Sequence, residues 1–107
     1  MGESFQRGAL TEATYYILLA LCEPRHGYGI MQYITEVSNS RVNLGAGTLY
    51  GALNTLVEKQ WIKSVSTETR SRKKEYIITQ DGIEILKEEM RRLEELIQTG
   101  KNILEGE

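Results

Sequence analysis

Apolar residues recur along this chain at two periods. From Thr11 to Lys59 they return every three to four residues, the spacing that lines one face of an α-helix. Between Trp61 and Thr79 the pattern alternates and is rich in β-branched residues, as in a half-buried strand pair. From Thr79 onward the helical period returns. The pattern therefore predicts three helices, a β-hairpin and a last helix.

Thr11 is placed to cap the first helix, with Glu12 in its first turn. That helix is expected to run to about Cys22 and to bury Ala13, Tyr16, Ile17, Ala20 and Leu21. Residues Glu23 to Gly27 break it, and a second helix from about Tyr28 to Val37 turns Ile30, Met31, Ile34 and Val37 inward. Ser38 to Ser40 form a polar loop. The third helix should begin at Ala46, with Gly45 as N-cap and Leu44 stapled to Leu49, and end near Lys59. Its apolar stripe is Ala46, Leu49, Tyr50, Leu53, Leu56 and Val57. The opposite face carries Gly47, Thr48, Gly51, Ala52, Asn54 and Thr55, all small or polar, and suits close approach to a groove.

Trp61 to Thr67 and Lys74 to Thr79 read as two strands joined by a charged tip over residues 68–73. Thr79 then caps a final helix with Asp81 in its first turn. Along it Ile83, Leu86, Met90, Leu93 and Ile97 alternate spacings of three and four, the seam of a helix that pairs with another helix. To Thr99 this helix is roughly 30 Å long, more than a small domain can cover alone. Gly100 is expected to end or kink it.

A chain of 107 residues is sized for one domain, and 40% apolar with 26% charged residues excludes wholesale disorder. No apolar run is long enough to span a bilayer, so no membrane partner and a cytoplasmic location are expected. Cys22 and His26 are single, which leaves no internal disulfide and no metal constellation. No phosphate loop, nucleophile triad or carboxylate pair is visible, and neither enzyme activity nor a cofactor is expected. Net charge is only −2, but it is polarised. Residues 41–80 hold seven basic against three acidic side chains, while residues 81–107 hold four against eight.

Three helices followed by a basic hairpin define a winged helix-turn-helix, in which the third helix enters the major groove and the hairpin touches phosphates. The residues His26-Gly27-Tyr28-Gly29-Ile30, Gly47-Thr48-Leu49-Tyr50 with Leu53 and Leu56, and Arg72-Lys73-Lys74-Glu75-Tyr76 leading to Thr79 and Gly82 resemble the PadR-like transcriptional regulators. The resemblance spans nearly the whole chain and matches the compact branch with a single C-terminal helix. The expected architecture is mainly α with a small β-hairpin: a winged helix-turn-helix over 1–79 and a long C-terminal dimerisation helix with its tail over 80–107, one structural unit.

The resemblance implies a homodimeric DNA-binding regulator, a repressor, with double-stranded operator DNA and itself as partners. Thr48, Tyr50 and Asn54 would read the groove. Tyr28 would face a phosphate, and Arg70, Arg72, Lys73 and Lys74 would hold phosphates from the wing. The dimer interface would use Ile83, Leu86, Met90, Leu93 and Ile97. The alternatives are a winged-helix protein-interaction module that binds no DNA, and a repressor that also senses a small-molecule effector at the dimer centre, with Trp61 as a candidate ligand residue. Three departures from the family pattern stand out, one being Glu75, which replaces a residue commonly basic or aromatic in the family and trims the wing's positive charge. Gln60 occupies the position, at the end of the third helix, where the family usually carries glycine, so that helix is expected to end differently here. The last helix lacks the tryptophan that stacks planar drugs in related multidrug-sensing members.

Overall fold

The computed structural model describes residues 8–65 and 74–106. It is mainly α with a small antiparallel sheet, a winged helix followed by one long C-terminal helix. In chain order the elements are α1 (Glu12–Ala20), β1 (Arg25–His26), α2 (Gly27–Val37), α3 (Ala46–Glu58), β2 (Ile62–Val65), β3 (Glu75–Ile78) and α4 (Gln80–Leu104).

Each helix starts on a cap. The Thr14 N–H donates to Thr11 Oγ1 at 3.0 Å, and the Gly82 N–H donates to Thr79 Oγ1 at 3.1 Å. Gly45 caps α3 without a side chain, and Leu44 and Leu49 both pack into the core beside it. The core gathers one stripe from every helix. Ile17, Leu18 and Leu21 from α1 and its C-cap, Ile30 and Ile34 from α2, Leu49, Leu53 and Leu56 from α3, and Leu86 from α4 close on Ile62, Tyr76 and Ile78 of the sheet.

The sheet has three strands in the order β1-β3-β2, not two. The extra strand is the two-residue β1, which alternation cannot reveal at that length. It pairs Arg25 with Tyr76 and His26 with Glu75. Arg25 also donates from Nε to the Ala20 carbonyl at 2.7 Å and lies over the Tyr33 ring, 4.4 Å from its centroid. One side chain thus closes the C-terminus of α1 and leans on α2.

α3 ends in a Schellman motif despite lacking glycine. The Gln60 N–H donates to the Val57 carbonyl at 2.9 Å and the Trp61 N–H to the Leu56 carbonyl at 3.1 Å, while Gln60 stands at φ 67°. The family-like ending is retained, with glutamine held in the left-handed conformation. The turn is clamped from the other side, because Thr79 Oγ1 donates to the Gln60 carbonyl at 2.7 Å and the Thr79 N–H to the Trp61 carbonyl at 2.9 Å. Gly82 sits directly on this clamp. A β-carbon there would collide with the Trp61 carbonyl oxygen and come within 2.6 Å of Ile78 Cγ1.

Three inward assignments are corrected. Val37 is exposed, since α2 is already turning out into its own ending at Asn39 and Ser40, both left-handed. Val57 and Ala46 face solvent while Ala52 packs on the core, because the buried stripe of α3 runs through Leu49, Leu53 and Leu56 and rotates the face by one position. Gly100 neither ends α4 nor marks its last turn. The helix continues to Leu104, 25 residues in all, because one glycine costs only about 1 kcal/mol against many helical bonds.

Candidate nucleic-acid interface

The face of α3 opposite its leucine stripe is bare. Gly47, Thr48, Gly51, Asn54 and Thr55 are all exposed there, and the one long side chain of α3 on this face is Glu58, in the helix's last turn. Thr55 turns its hydroxyl back to the Gly51 carbonyl at 3.2 Å, which further lowers the relief of this face.

Tyr50 stands at the edge between this face and the core. It is 45% exposed, as fits a residue at the edge of the apolar stripe. Its ring lies across the first turn of α2, on Gly27. A β-carbon at Gly27 would lie 2.6 Å from Tyr50 Cζ and closer still to the hydroxyl oxygen. The absence of a side chain at Gly27 is what lets the phenol lie there. Behind it, Tyr76 is buried, and burial, together with the nearby Tyr50 phenol, pushes its pKa up from 10.0.

Tyr28 follows Gly27 and is 60% exposed, with its hydroxyl accepting from Gln32 Nε2 at 3.4 Å. His26 is the N-cap of α2, and its Nδ1 accepts from the Gly29 N–H at 3.4 Å. His26, Tyr28, Tyr50 and Asn54, with Lys74 and Tyr76 from the wing side, border one open hollow of about 480 Å³. Four of the residues predicted to contact DNA, Tyr28, Tyr50, Asn54 and Lys74, therefore meet at a single surface. Thr48 lies exposed on the same helix as Tyr50, in its first turn. Arg70, Arg72 and Lys73 lie outside the described residues. Lys63, exposed on β2, is a further cation on this sheet that the sequence pattern does not single out, since a lone lysine in a strand carries no signal.

The seam residues divide along α4. Leu86 is buried in the protomer's own core, Ile83 and Leu93 are partly covered, and Met90 and Ile97 are 47% and 58% exposed. Apolar exposure continues through Leu96, Ile103 and Leu104. Glu89, which the pattern does not flag, is buried beside them. Its carboxylate takes two hydrogen bonds from Arg92, at 3.1 and 2.5 Å, and one from the Leu10 N–H at 3.3 Å. That pairing pushes the Arg92 pKa up.

Trp61 is half-buried beside a separate hollow of about 810 Å³ between the start of α1, the end of α3 and the start of α4. The Lys59 ammonium stands 5.2 Å from its ring centroid, and Asp81 and Glu84 also line the hollow. Among the described residues, no group of His, Cys, Asp and Glu is placed to hold a metal ion. No described helix is long and apolar enough to cross a membrane.

A capped helix with a bare polar face, set between the first turn of a second helix and a three-stranded sheet, makes this a winged helix-turn-helix of the kind that transcription factors use. The chain belongs to the transcriptional regulator PadR-like family, whose pattern it matches over residues 17–88. It is similar to the structure of a transcriptional regulator from Clostridium thermocellum, with 25% identity, 89% of this chain and 90% of that one covered, and a TM-score of 0.68. A PadR family transcription regulator from Clostridium difficile shares the fold at 24% identity and a TM-score of 0.71, with 88% and 98% of the two chains covered. An uncharacterized 37.1 kDa protein in a transposon of Streptomyces fradiae is 39% identical over 79 residues. Those residues are 73% of this chain but 22% of that protein, so the chain spans less than a quarter of that relative's length.

Proposed function

We propose that this protein is a homodimeric, sequence-specific DNA-binding repressor, with α3 in the major groove and the basic wing on phosphates. The observation that carries the reading is the convergence of Tyr28, Tyr50, Asn54 and Lys74 on one open surface, next to the low, polar face of α3. Thr48 and Asn54 are the groove-reading residues, and Asn54 suits the paired donor and acceptor of an adenine edge. Tyr50 is braced on Gly27 and presents its phenol at the junction of groove and backbone. Tyr28, Lys74, Arg70, Arg72 and Lys73 hold phosphates. Docking to a protein would give the wing no reason to be basic.

Gel-shift titrations on the protein's own upstream DNA, with unrelated duplex as competitor, test this reading, because such regulators often act on their own promoter. Changing Arg72, Lys73 and Lys74 to Ala should weaken operator and random duplex by similar factors, since phosphates look alike at every sequence. For every phosphate no longer neutralised, the slope of log affinity against log salt should fall by about 0.9. Asn54→Ala should instead narrow the gap between operator and random DNA by roughly 1 to 3 kcal/mol with little change in slope. A wing variant that keeps both affinity and slope would transfer the weight to a protein-docking role.

The hollow at Trp61 favours a second, compatible reading in which a small effector binds there and acts on α3. Trp61 is the only tryptophan, so its fluorescence reports occupancy directly.

A further inference from the structure

We infer that α4 carries its own recognition code: Lys87 and Glu94 set an antiparallel, self-selecting register between two copies of this helix. This rests on the dimer proposed above and goes beyond it, since it names the residues that choose the partner and the direction of pairing.

One stripe of α4 is already occupied, because Gly82, Leu86 and Glu89 are buried against the protomer's own core. At 100° per residue, Ile83, Lys87, Met90, Glu94 and Ile97 fall on the adjoining quarter of the helix circumference. Lys87, Met90, Glu94 and Ile97 are exposed there, and Ile83 is partly covered. Within this strip the order of residues is nearly symmetric about Met90. Ile83 and Ile97 lie seven residues on either side, while Lys87 lies three before and Glu94 four after.

Reversing one copy about Met90 therefore sets Ile83 against the partner's Ile97, Met90 against the partner's Met90, and Lys87 beside Glu94 of the partner subunit. The two-fold axis forms each hetero-contact twice. A parallel pairing would instead stack lysine on lysine and glutamate on glutamate, which is repulsive. Neither charge has another engagement: among the described residues, neither Lys87 nor Glu94 forms an ion pair within its own chain. They are also about two helical turns apart, so they cannot neutralise each other on one helix. A strip that complements itself only when reversed fits a second copy of this chain as its occupant.

Charge exchange tests this directly. Lys87→Glu and Glu94→Lys each convert two attractive contacts per dimer into two repulsive ones, and each homodimer should weaken roughly tenfold or more at low salt. Mixing the two variants, one bearing an affinity tag, should give predominantly heterodimer by native mass spectrometry, because each then presents what the other lacks. The double variant Lys87→Glu/Glu94→Lys should recover self-association. If the unmodified protein is a monomer at micromolar concentration, the dimer reading falls and this register falls with it. If the unmodified protein is a dimer but neither single variant weakens self-association, the pairing is not antiparallel, since a parallel pair would keep two like-charge contacts in every homodimer; the register is then overturned and the dimer stands.

Discussion

Gln60→Gly should stabilise this protein, which is unusual for a substitution that removes a whole side chain. Gln60 stands at φ 67° because two hydrogen bonds, from its own N–H and from that of Trp61, wrap the end of α3. Holding an L-residue left-handed costs roughly 1 to 2 kcal/mol, from the approach of Cβ to the following carbonyl. Glycine removes that strain but gains unfolded-state freedom worth roughly 0.5 to 1 kcal/mol. The net gain should therefore centre at about 0.75 kcal/mol, within a span of about 0 to 1.5, or about 3 to 6 °C in Tm at the centre for a domain of this size. The Gln60 side chain is exposed and its carbonyl keeps its bond from Thr79, so nothing else should change. Thermal melts at one protein concentration read the effect, since any self-association would make Tm depend on concentration. Gln60→Ala is the control, because it keeps the Cβ and should not gain. A Gln60→Gly protein melting at or below the unmodified one would refute the strain reasoning.

Gly82→Ala should be severe by the same kind of reasoning, costing about 3 kcal/mol, because the obstacle is the Trp61 backbone carbonyl and not a side chain that can swing away; urea unfolding would read it. Gly27→Ala should be milder for stability but should weaken specific DNA binding in gel shifts, since the half-exposed Tyr50 ring can move aside but then loses its placement. If the proposed dimer forms through α4, Leu93→Glu should dissociate it in sedimentation and reduce operator binding in parallel, because a carboxylate would be buried at the proposed seam and a dimeric reader needs its two α3 helices to span half-sites about 34 to 36 Å apart. Tyr76 is held above 10.0 when folded, so its contribution to stability should be intact below pH 10 and decline as pH rises beyond it; Tyr76→Phe should flatten that alkaline fall in chemical denaturation.

The order of elements was legible because each helix repeats its apolar stripe several times and each start carries a capping residue that acts locally. Thr11, Gly45 and Thr79 all cap where the sequence places them. The candidate interface was legible for a related reason: Thr48 and Asn54 sit opposite a leucine stripe, and helical geometry alone sends them outward. Tyr50 was harder. Its position belongs to the stripe by period, yet it is half out of the core, because only packing against Gly27 from another helix decides where a large ring at the boundary goes.

What the sequence by itself determined, then, is what depends on neighbours within one or two turns: helix starts, leucine stripes, the bare face of α3 and the alternation of the wing strands. Only the tertiary structure decided the rest. β1 is two residues long, has no periodicity, and exists as a strand because β3 supplies its hydrogen bonds. Gln60 is held in its glycine-like backbone from outside the helix end as well, because Thr79, nineteen residues away, clamps its carbonyl. Glu89 looks like one more surface charge on an acidic helix, and it is buried because Arg92 and the Leu10 N–H meet it there. In each case a deciding contact comes from outside the residue's own strand or turn, and a local pattern carries no record of it.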